Sequence, residues 1–278
     1  MNQNFIFGSQ KQTTFIHQIQ GATKLFFLLL TSIACMVVYH VWFLLLIAFL
    51  SLLLLFFSQI KWNQVSGVLK GFFFYLLINN FIIFFFFPQH GAVLYNSYTP
   101  LFESSIITIT REQLFYQLNL ILKYFCIIPL FLIFILTTNP SELASSLNKW
   151  GVSYKISYAL ALTIRYIPEI QMDFNNIKAF QQARVLTSLK KKNFIVKMCQ
   201  KIKKIAQVIV PLIFLNLEKI DTIANALELR RFGKNKKRTW YYQTFFRFGD
   251  SLTLILGLTL LLLSIYLLNI HGRFYYPF

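Results

Sequence analysis

The sequence predicts an all-α integral membrane protein, with about five transmembrane helices and a three-helix cytoplasmic domain inserted before the last of them. Three observations carry this. Of 278 residues, 56% are hydrophobic and 18% aromatic, Phe alone occurs 32 times, and only 13% are charged. A soluble core of this size does not bury so much apolar side chain, so the bilayer is one of the solvents. The apolar residues gather in runs of membrane length, and the charge gathers elsewhere. Residues 141–247 hold twenty of the 27 Lys and Arg and six of the nine Asp and Glu, which puts +14 of the net +18 in one block. These features divide the chain into a membrane part, 1–136, a basic water-facing part, 137–247, and a last membrane helix with a short tail, 248–278.

Met1 to Gln20 is polar and lacks a short apolar core followed by small residues, so no cleaved signal peptide is expected. Leu25 to Phe57 is almost unbroken apolar sequence, too long for one untilted crossing of about 20 residues. Tyr39-His40 offers a polar break near its middle, which predicts a tight hairpin of two short helices. Val68 to Phe87, closed by Pro88, is the third segment, and Leu114 to Leu136, with a kink expected at Pro129, is the fourth. Leu252 to Ile270 is the fifth. Lys11 and Lys24 precede the first segment, Lys61 and Lys70 lie between the second and third, and the basic block follows the fourth. With the hairpin in place all three groups fall on one side, and cytoplasmic loops carry the Lys and Arg excess. A multi-pass cell-membrane protein is therefore expected, its N-terminus and basic block cytoplasmic, and the loop Gln89 to Arg111 and the C-terminus external.

The block itself has helical periodicity. Asn139-Pro-Ser-Glu142 is a start signal, with a capping residue, proline at the first helical position and a glutamate placed to reach back, and Gly151 is expected to stop this short helix after Lys149. From Ser153 to Arg184, Ala159, Leu162, Ile167 and Ile170 recur at helical spacing opposite a stripe of Arg165, Glu169, Asp173 and Asn176. Lys190 to Lys204 contains seven lysines. A third helix is expected from Ile205 to Phe232, with Glu218, Asp221, Asn225 and Glu228 on one face and Leu217, Ile220, Ala224 and Leu227 on another. Arg230 and Arg231 fall in its last turn, where cations complement the helix dipole, before Gly233.

Catalytic signatures are missing from the sequence. Gly67-Val-Leu-Lys70 and Gly233-Lys-Asn-Lys236 lack the second glycine and the strand-then-helix setting of a phosphate loop, and GxSxG, HExxH and clustered intramembrane carboxylates do not occur. Cys35, Cys126 and Cys199 form no CxxC pair, and His17, His40, His90 and His271 are scattered, so neither metal nor cofactor is expected. The basic block admits three readings. Lys190, Lys191, Lys192, Lys197, Lys201, Lys203 and Lys204 suit a polybasic surface held against anionic headgroups, each charge being worth about 1 kcal/mol. Nucleic-acid binding has charge but no recognised module, and no nucleic-acid partner is expected. Protein docking is the third, since Gln182-Ala-Arg184 and Glu228-Leu-Arg230 end amphipathic helices with arginines suited to bidentate contacts with carboxylates.

In order and spacing, Thr137-Thr-Asn-Pro-Ser-Glu-Leu143, Ala159-Leu-Ala-Leu-Thr-Ile-Arg-Tyr-Ile-Pro-Glu169, Ala179-Phe-Gln-Gln-Ala-Arg184, Val210-Pro-Leu212 and Ala226-Leu-Glu-Leu-Arg-Arg-Phe-Gly233 with Lys237-Arg-Thr239 form a series. This series resembles the transmembrane T component of energy-coupling factor (ECF) transporters, closely over 137–242 and loosely in the four-plus-one layout of flanking helices. The resemblance implies a non-catalytic subunit of an ABC importer that joins two cytoplasmic ABC-type ATPases to a small membrane S component. The S component captures a vitamin or metal ion. It also implies that 137–247 is a coupling domain; in the family each of two long coupling helices ends in Ala-Arg-Gly, and those ends insert into grooves on the two ATPases. Carried over, Ala183 and Arg184 at one end, and Glu228, Arg230, Arg231 and Gly233 at the other, are the ATPase-docking residues. Leu162, Ile220 and Leu227 would pack against the S component or the membrane domain. Val185 stands where the family has its first glycine, Leu229 where it has its second alanine and Arg231 where it has its second glycine. The reading from another class is a stand-alone secondary transporter or lipid-modifying membrane enzyme with a polybasic cytoplasmic loop.

Overall fold

A computed structural model describes residues 15–60, 62–95, 97–103, 108–184, 194–234, 239–240 and 245–276. Ten helices follow in order among them. These are α1 (Phe15–Gln18), α2 (Gly21–Val37), α3 (Val41–Phe57), α4 (Trp62–Phe86), α5 (His90–Tyr95), α6 (Arg111–Thr137), α7 (Pro140–Lys149), α8 (Tyr154–Arg184), α9 (Phe194–Leu229) and α10 (Phe248–His271). Two short antiparallel strands, β1 (Pro100–Glu103) and β2 (Thr108–Thr110), lie between α5 and α6. The chain divides into two compact units: residues 1–146 with 243–278, and residues 147–242.

The expected hairpin is present: α2 and α3 are 17 residues each and break at Val38–His40. At 1.5 Å per residue each is about 25 Å long, the short end of the range that crosses a bilayer. Three further helices, Val65–Phe86 of α4, α6 and α10, are long and apolar enough to cross by themselves. The first unit's core lies between α2, α3, α6 and α10, where Ala34, Cys35, Phe43, Leu44, Ile47, Ala48, Cys126 and Leu260 pack together. Small residues recur at these contacts because lipid provides no hydrophobic drive between helices, and close approach must supply the attraction. A Cβ added to Gly257 of α10 would stand 3.2 Å from Phe27 and Leu30 of α2. Among the described side chains of α4 only Val65 and Leu76 are buried apolar residues, and five of its seven phenylalanines are exposed, which in a bilayer means that they meet lipid or another membrane protein.

Pro129 lies inside α6 as expected. A proline removes the bond to the carbonyl four residues back, here Phe125, and that carbonyl accepts from Ser51 Oγ of α3 at 3.2 Å.

The unit's polar contacts collect at two ends. At one, the Asp250 carboxylate accepts from the backbone N–H of Gln20 (2.8 Å) and of Arg247 (2.7 Å), and Arg247 donates to Gln18 (2.6 Å). There one of the first N–H groups of α2, which have no partner within the helix, finds one in Ser146 Oγ, 2.9 Å from Ala22 N. At the other end Glu112 accepts from Thr99 N and Oγ1 and from Ser97, and the α2–α3 break meets the C-terminal tail through Tyr39 N–H donating to Arg273 O (3.0 Å). Tyr95 and Phe115 lie there against Tyr276, with ring centroids 5.3 Å apart in each pair. The α2–α3 turn, the α5–α6 connection and the C-terminal tail therefore share one end, while the starts of α2 and α10 share the other. An odd number of crossings requires this alternation.

Candidate coupling-helix site

The second unit is built on α8 and α9. The start signal before α7 works through side chains: Asn139 Nδ2 donates to Glu142 Oε1 at 3.1 Å, and the helix stops where Gly151 takes a φ of 100°. α8 begins and ends as its periodicity predicts. α9 begins eleven residues before the expected Ile205, because Ile195, Met198, Cys199, Ile202 and Ile205 continue the helical spacing among lysines that are themselves good helix formers.

The two helices are antiparallel. Phe232, just past the end of α9, packs on Tyr158 (4.7 Å) and Tyr154 (5.5 Å) at the start of α8. Midway, Lys219 Nζ donates to Asp173 at 2.6 Å and to Glu169 at 3.4 Å. The hydrogen bond that Lys219 donates to Asp173 holds its pKa above the ordinary lysine value. Near the other end, Gln181 Nε2 makes a long contact of 3.5 Å with Gln207 O, the carbonyl that Pro211 deprives of its helical donor. The sequence stripe contained Glu169 and Asp173 but gave no partner for them. The lone cation Lys219 between Glu218 and Asp221 was the available signal.

Leu162, Ile220 and Leu227 are brought together. With Tyr166, Ile167 and Ile170 they line one groove of about 400 Å³ between α8 and α9, and Ile220 remains 57% exposed.

The arginine-bearing ends are separated. Ala183 is exposed, and Arg184 is the last residue of α8, its side chain outside the described residues, as is Val185. Arg230 and Arg231 lie at the opposite end of the pair, beside the start of α8. Across the 31 residues of α8 this is on the order of 45 Å by helical rise. Helix α9 ends at Leu229, three residues before the expected Phe232, and the reason lies in its cap. Phe232 N–H donates to Leu227 O (2.9 Å) and Arg231 N–H to Glu228 O (2.8 Å), the reversed bonds of a Schellman stop. The residue at its left-handed position is Arg231, with a φ of 53°. Glycine enters that region freely, whereas a residue with a Cβ loses roughly 1–2 kcal/mol there. Gly233 follows at a φ of 89°, with Lys155 Cε 3.3 Å from where a Cβ would stand. Glu228, Arg230 and Arg231 are all exposed, and Leu229, at 86%, is the most exposed large apolar side chain among the described residues.

The sequence profile of the family described as "Cobalt transport protein" (CbiQ) matches residues 12–241, most of the chain and the whole of this helical pair. The chain belongs to the CbiQ family. Among curated relatives, this CbiQ-family chain is 29% identical to the energy-coupling factor transporter transmembrane protein EcfT of Streptococcus equi subsp. equi (strain 4047), over 77% of each chain. It is 27% identical to the protein of the same name from Streptococcus thermophilus (strain ATCC BAA-250 / LMG 18311), over 91% of this chain and 94% of that one. The T-component resemblance read from the ordered motifs is borne out by these matches, and the CbiQ chain is a multi-pass membrane component of a transporter family.

Proposed function

We propose that this chain is the non-catalytic transmembrane coupling subunit of an ECF-type ABC importer, and that it transmits the motion of two partner ATPases to an S component that captures a vitamin or metal ion. One observation carries the reading: the helix ends bearing Arg184 and Arg230 stand at opposite ends of a single antiparallel pair. Each end then meets a different ATPase. Closure or separation of the two ATPases moves α8 and α9 as levers, clamped to one another by Lys219 on Asp173 and Glu169. The groove containing Leu162, Ile220 and Leu227 is the surface offered to the S component or the membrane domain. In this reading the N-terminus and the helical pair are cytoplasmic and the C-terminal tail is external. ATP chemistry belongs to the partners, since the chain lacks a phosphate-cradling loop.

The test is copurification of the ATPases, with substrate uptake in parallel. Arg184→Glu or Arg230→Glu places a carboxylate among acceptors in a desolvated groove, a cost of roughly 2–5 kcal/mol or more. Either should release an ATPase or uncouple hydrolysis from uptake. Lys191→Glu or Lys203→Glu should cost only about 1–2 kcal/mol of headgroup attraction. If all four variants behave alike, the docking assignment fails and a polybasic lipid-facing surface replaces it. Purified alone, the chain is expected to show no ATP turnover, and measured turnover free of contaminating ATPase would refute the division of labour.

A further inference from the structure

We infer that an anionic phospholipid occupies the groove between α3, α4 and α6, with one acyl chain along its apolar walls and its phosphate on Lys70. Three lysines, Lys24, Lys70 and Lys123, stand within the membrane helices of the first unit, and an amine at that depth is kept with a partner. Two of them find theirs inside the chain. Lys24 Nζ donates to Thr137 O (3.2 Å) and Oγ1 (3.0 Å), and Lys123 Nζ lies 3.2 Å from the centre of the Tyr39 ring and 3.4 Å from Met36 O. Lys70, inside the crossing Val65–Phe86, is exposed and has neither hydrogen bond nor ion pair among the described residues. Its partner lies outside the chain.

The groove beside Lys70 names that partner. It has a volume of about 510 Å³, with hydrocarbon walls that include Leu52 and Leu55 of α3, Phe73 and Leu76 of α4, and Phe125 of α6, and its polar side chains are Ser66 and Lys70, one turn apart on α4. Helix α4 stands apart from the core that α2, α3, α6 and α10 share, and a lipid chain fills the space this leaves. Lys70 follows Trp62 by eight residues, about 12 Å of helical rise. Because Cα–Cβ bonds tilt toward the start of a helix, its side chain lies over the Ser66 turn and carries the amine toward the headgroups at that end. A carboxylate of another protein would have to leave water to reach this depth. The phosphate of an anionic phospholipid is already there, its chains directed along the groove. The site is independent of the coupling role, and only its leaflet, cytoplasmic in the proposed orientation, is taken from that reading.

The test places the full chain in nanodiscs of phosphatidylcholine and phosphatidylglycerol that contain a trace of one or the other lipid with a diazirine in its acyl chain, and maps the crosslinked residues by mass spectrometry. In the wild-type chain, residues 52–55 of α3 and 69–76 of α4 should take about fivefold more label from phosphatidylglycerol than from phosphatidylcholine, the ratio that one lysine near an anionic surface supplies. Phe81 and Phe85, exposed on α4 beyond the groove, should take both lipids equally. Lys70→Gln should equalise the two lipids in the groove, and Lys70→Arg should keep the excess. The wild-type comparison needs no substitution, so it decides even where a variant fails to fold. The site is overturned if the two lipids label the groove equally in the wild-type chain, if the excess survives Lys70→Gln, or if neither lipid labels the groove. Loss of groove labelling in the chain purified together with its protein partners also overturns it, because the groove then belongs to a protein.

Discussion

Asp250 is fully buried where α10 begins, and its carboxylate is the joint of two segments, accepting from Gln20 N–H and Arg247 N–H. A charged acceptor bonded to backbone donors contributes about 1.5–3 kcal/mol per bond, so Asp250→Ala, which orphans both, should cost about 3–6 kcal/mol. A fall of several degrees in the melting temperature of the purified chain, with no change in the end of α9, is the expected measurement. Gly91 shows the same economy at the opposite end of the unit. Its N–H donates to Gln113 Oε1 at 2.7 Å, and a Cβ added there would stand 2.6 Å from Gln113 Cα and from Glu112 O. Backbone cannot yield as a flexible side chain does, so Gly91→Val should separate α5 from α6 and reduce folded yield sharply, while Gly71→Val, with open space around it, should not. Fluorescence size-exclusion of the two variants decides it.

At the scale of the element, prolines inside helices are tolerated where a neighbour supplies what they remove. Ser51 Oγ, which also bonds its own Ala48 O, answers the carbonyl freed by Pro129. Ser51→Ala should therefore cost about 1 kcal/mol in the wild-type chain and less in a Pro129→Ala background, where the helix bond is restored. A double-mutant cycle without coupling would show that Ser51 serves its own helix only. The α8–α9 pair depends on a different device. Lys219 is half-buried and paired with two carboxylates, and its pKa is raised by the bond it donates to Asp173. A raised folded pKa gives stability that is complete below the ordinary lysine value and lost as pH climbs through the folded one. The clamp is thus constant across physiological pH and opens only in strong alkali. Lys219→Met should abolish that alkaline step and speed amide exchange in the middle of α8, with α10 unaffected.

For the whole molecule, the two ends of the first unit make a topological prediction. Ser97 is bonded to Glu112, and Tyr276 lies against Tyr95 and Phe115, so cysteines placed at 97 and 276 should be labelled from the same side. In the proposed orientation that side is external, and Lys191→Cys should react only after permeabilisation. Reaction of 97 and 191 from one side would exclude five crossings. The nearly bare α4 belongs to this scale as well: α2, α3, α6 and α10 share a core from which it stands apart.

Local physics made much of this legible before any coordinates. Apolar runs of bilayer length must be helices, since lipid leaves backbone polar groups no other partner, and Tyr39-His40, Pro88, Asn139-Pro140 and Gly151 punctuate those helices by their own conformational limits. The same periodicity revealed α8 and the apolar stripe of Leu162, Ile220 and Leu227, and the ordered motifs pointed to the family. It understated α9, whose first turns are hidden by lysines. Only tertiary structure decided that Glu169 and Asp173 hold Lys219, that Asp250 ties Gln20 to Arg247, and that the two arginine ends lie at opposite ends of one pair. These depend on which helices become neighbours and in which direction, and residues dozens to hundreds of positions apart leave no periodic trace of that. Arg231 lies between the two cases. Its place just before a helix-stopping glycine was visible, but its left-handed backbone follows from the cap closing on Phe232, and that ring is held by Tyr154 and Tyr158 of another helix.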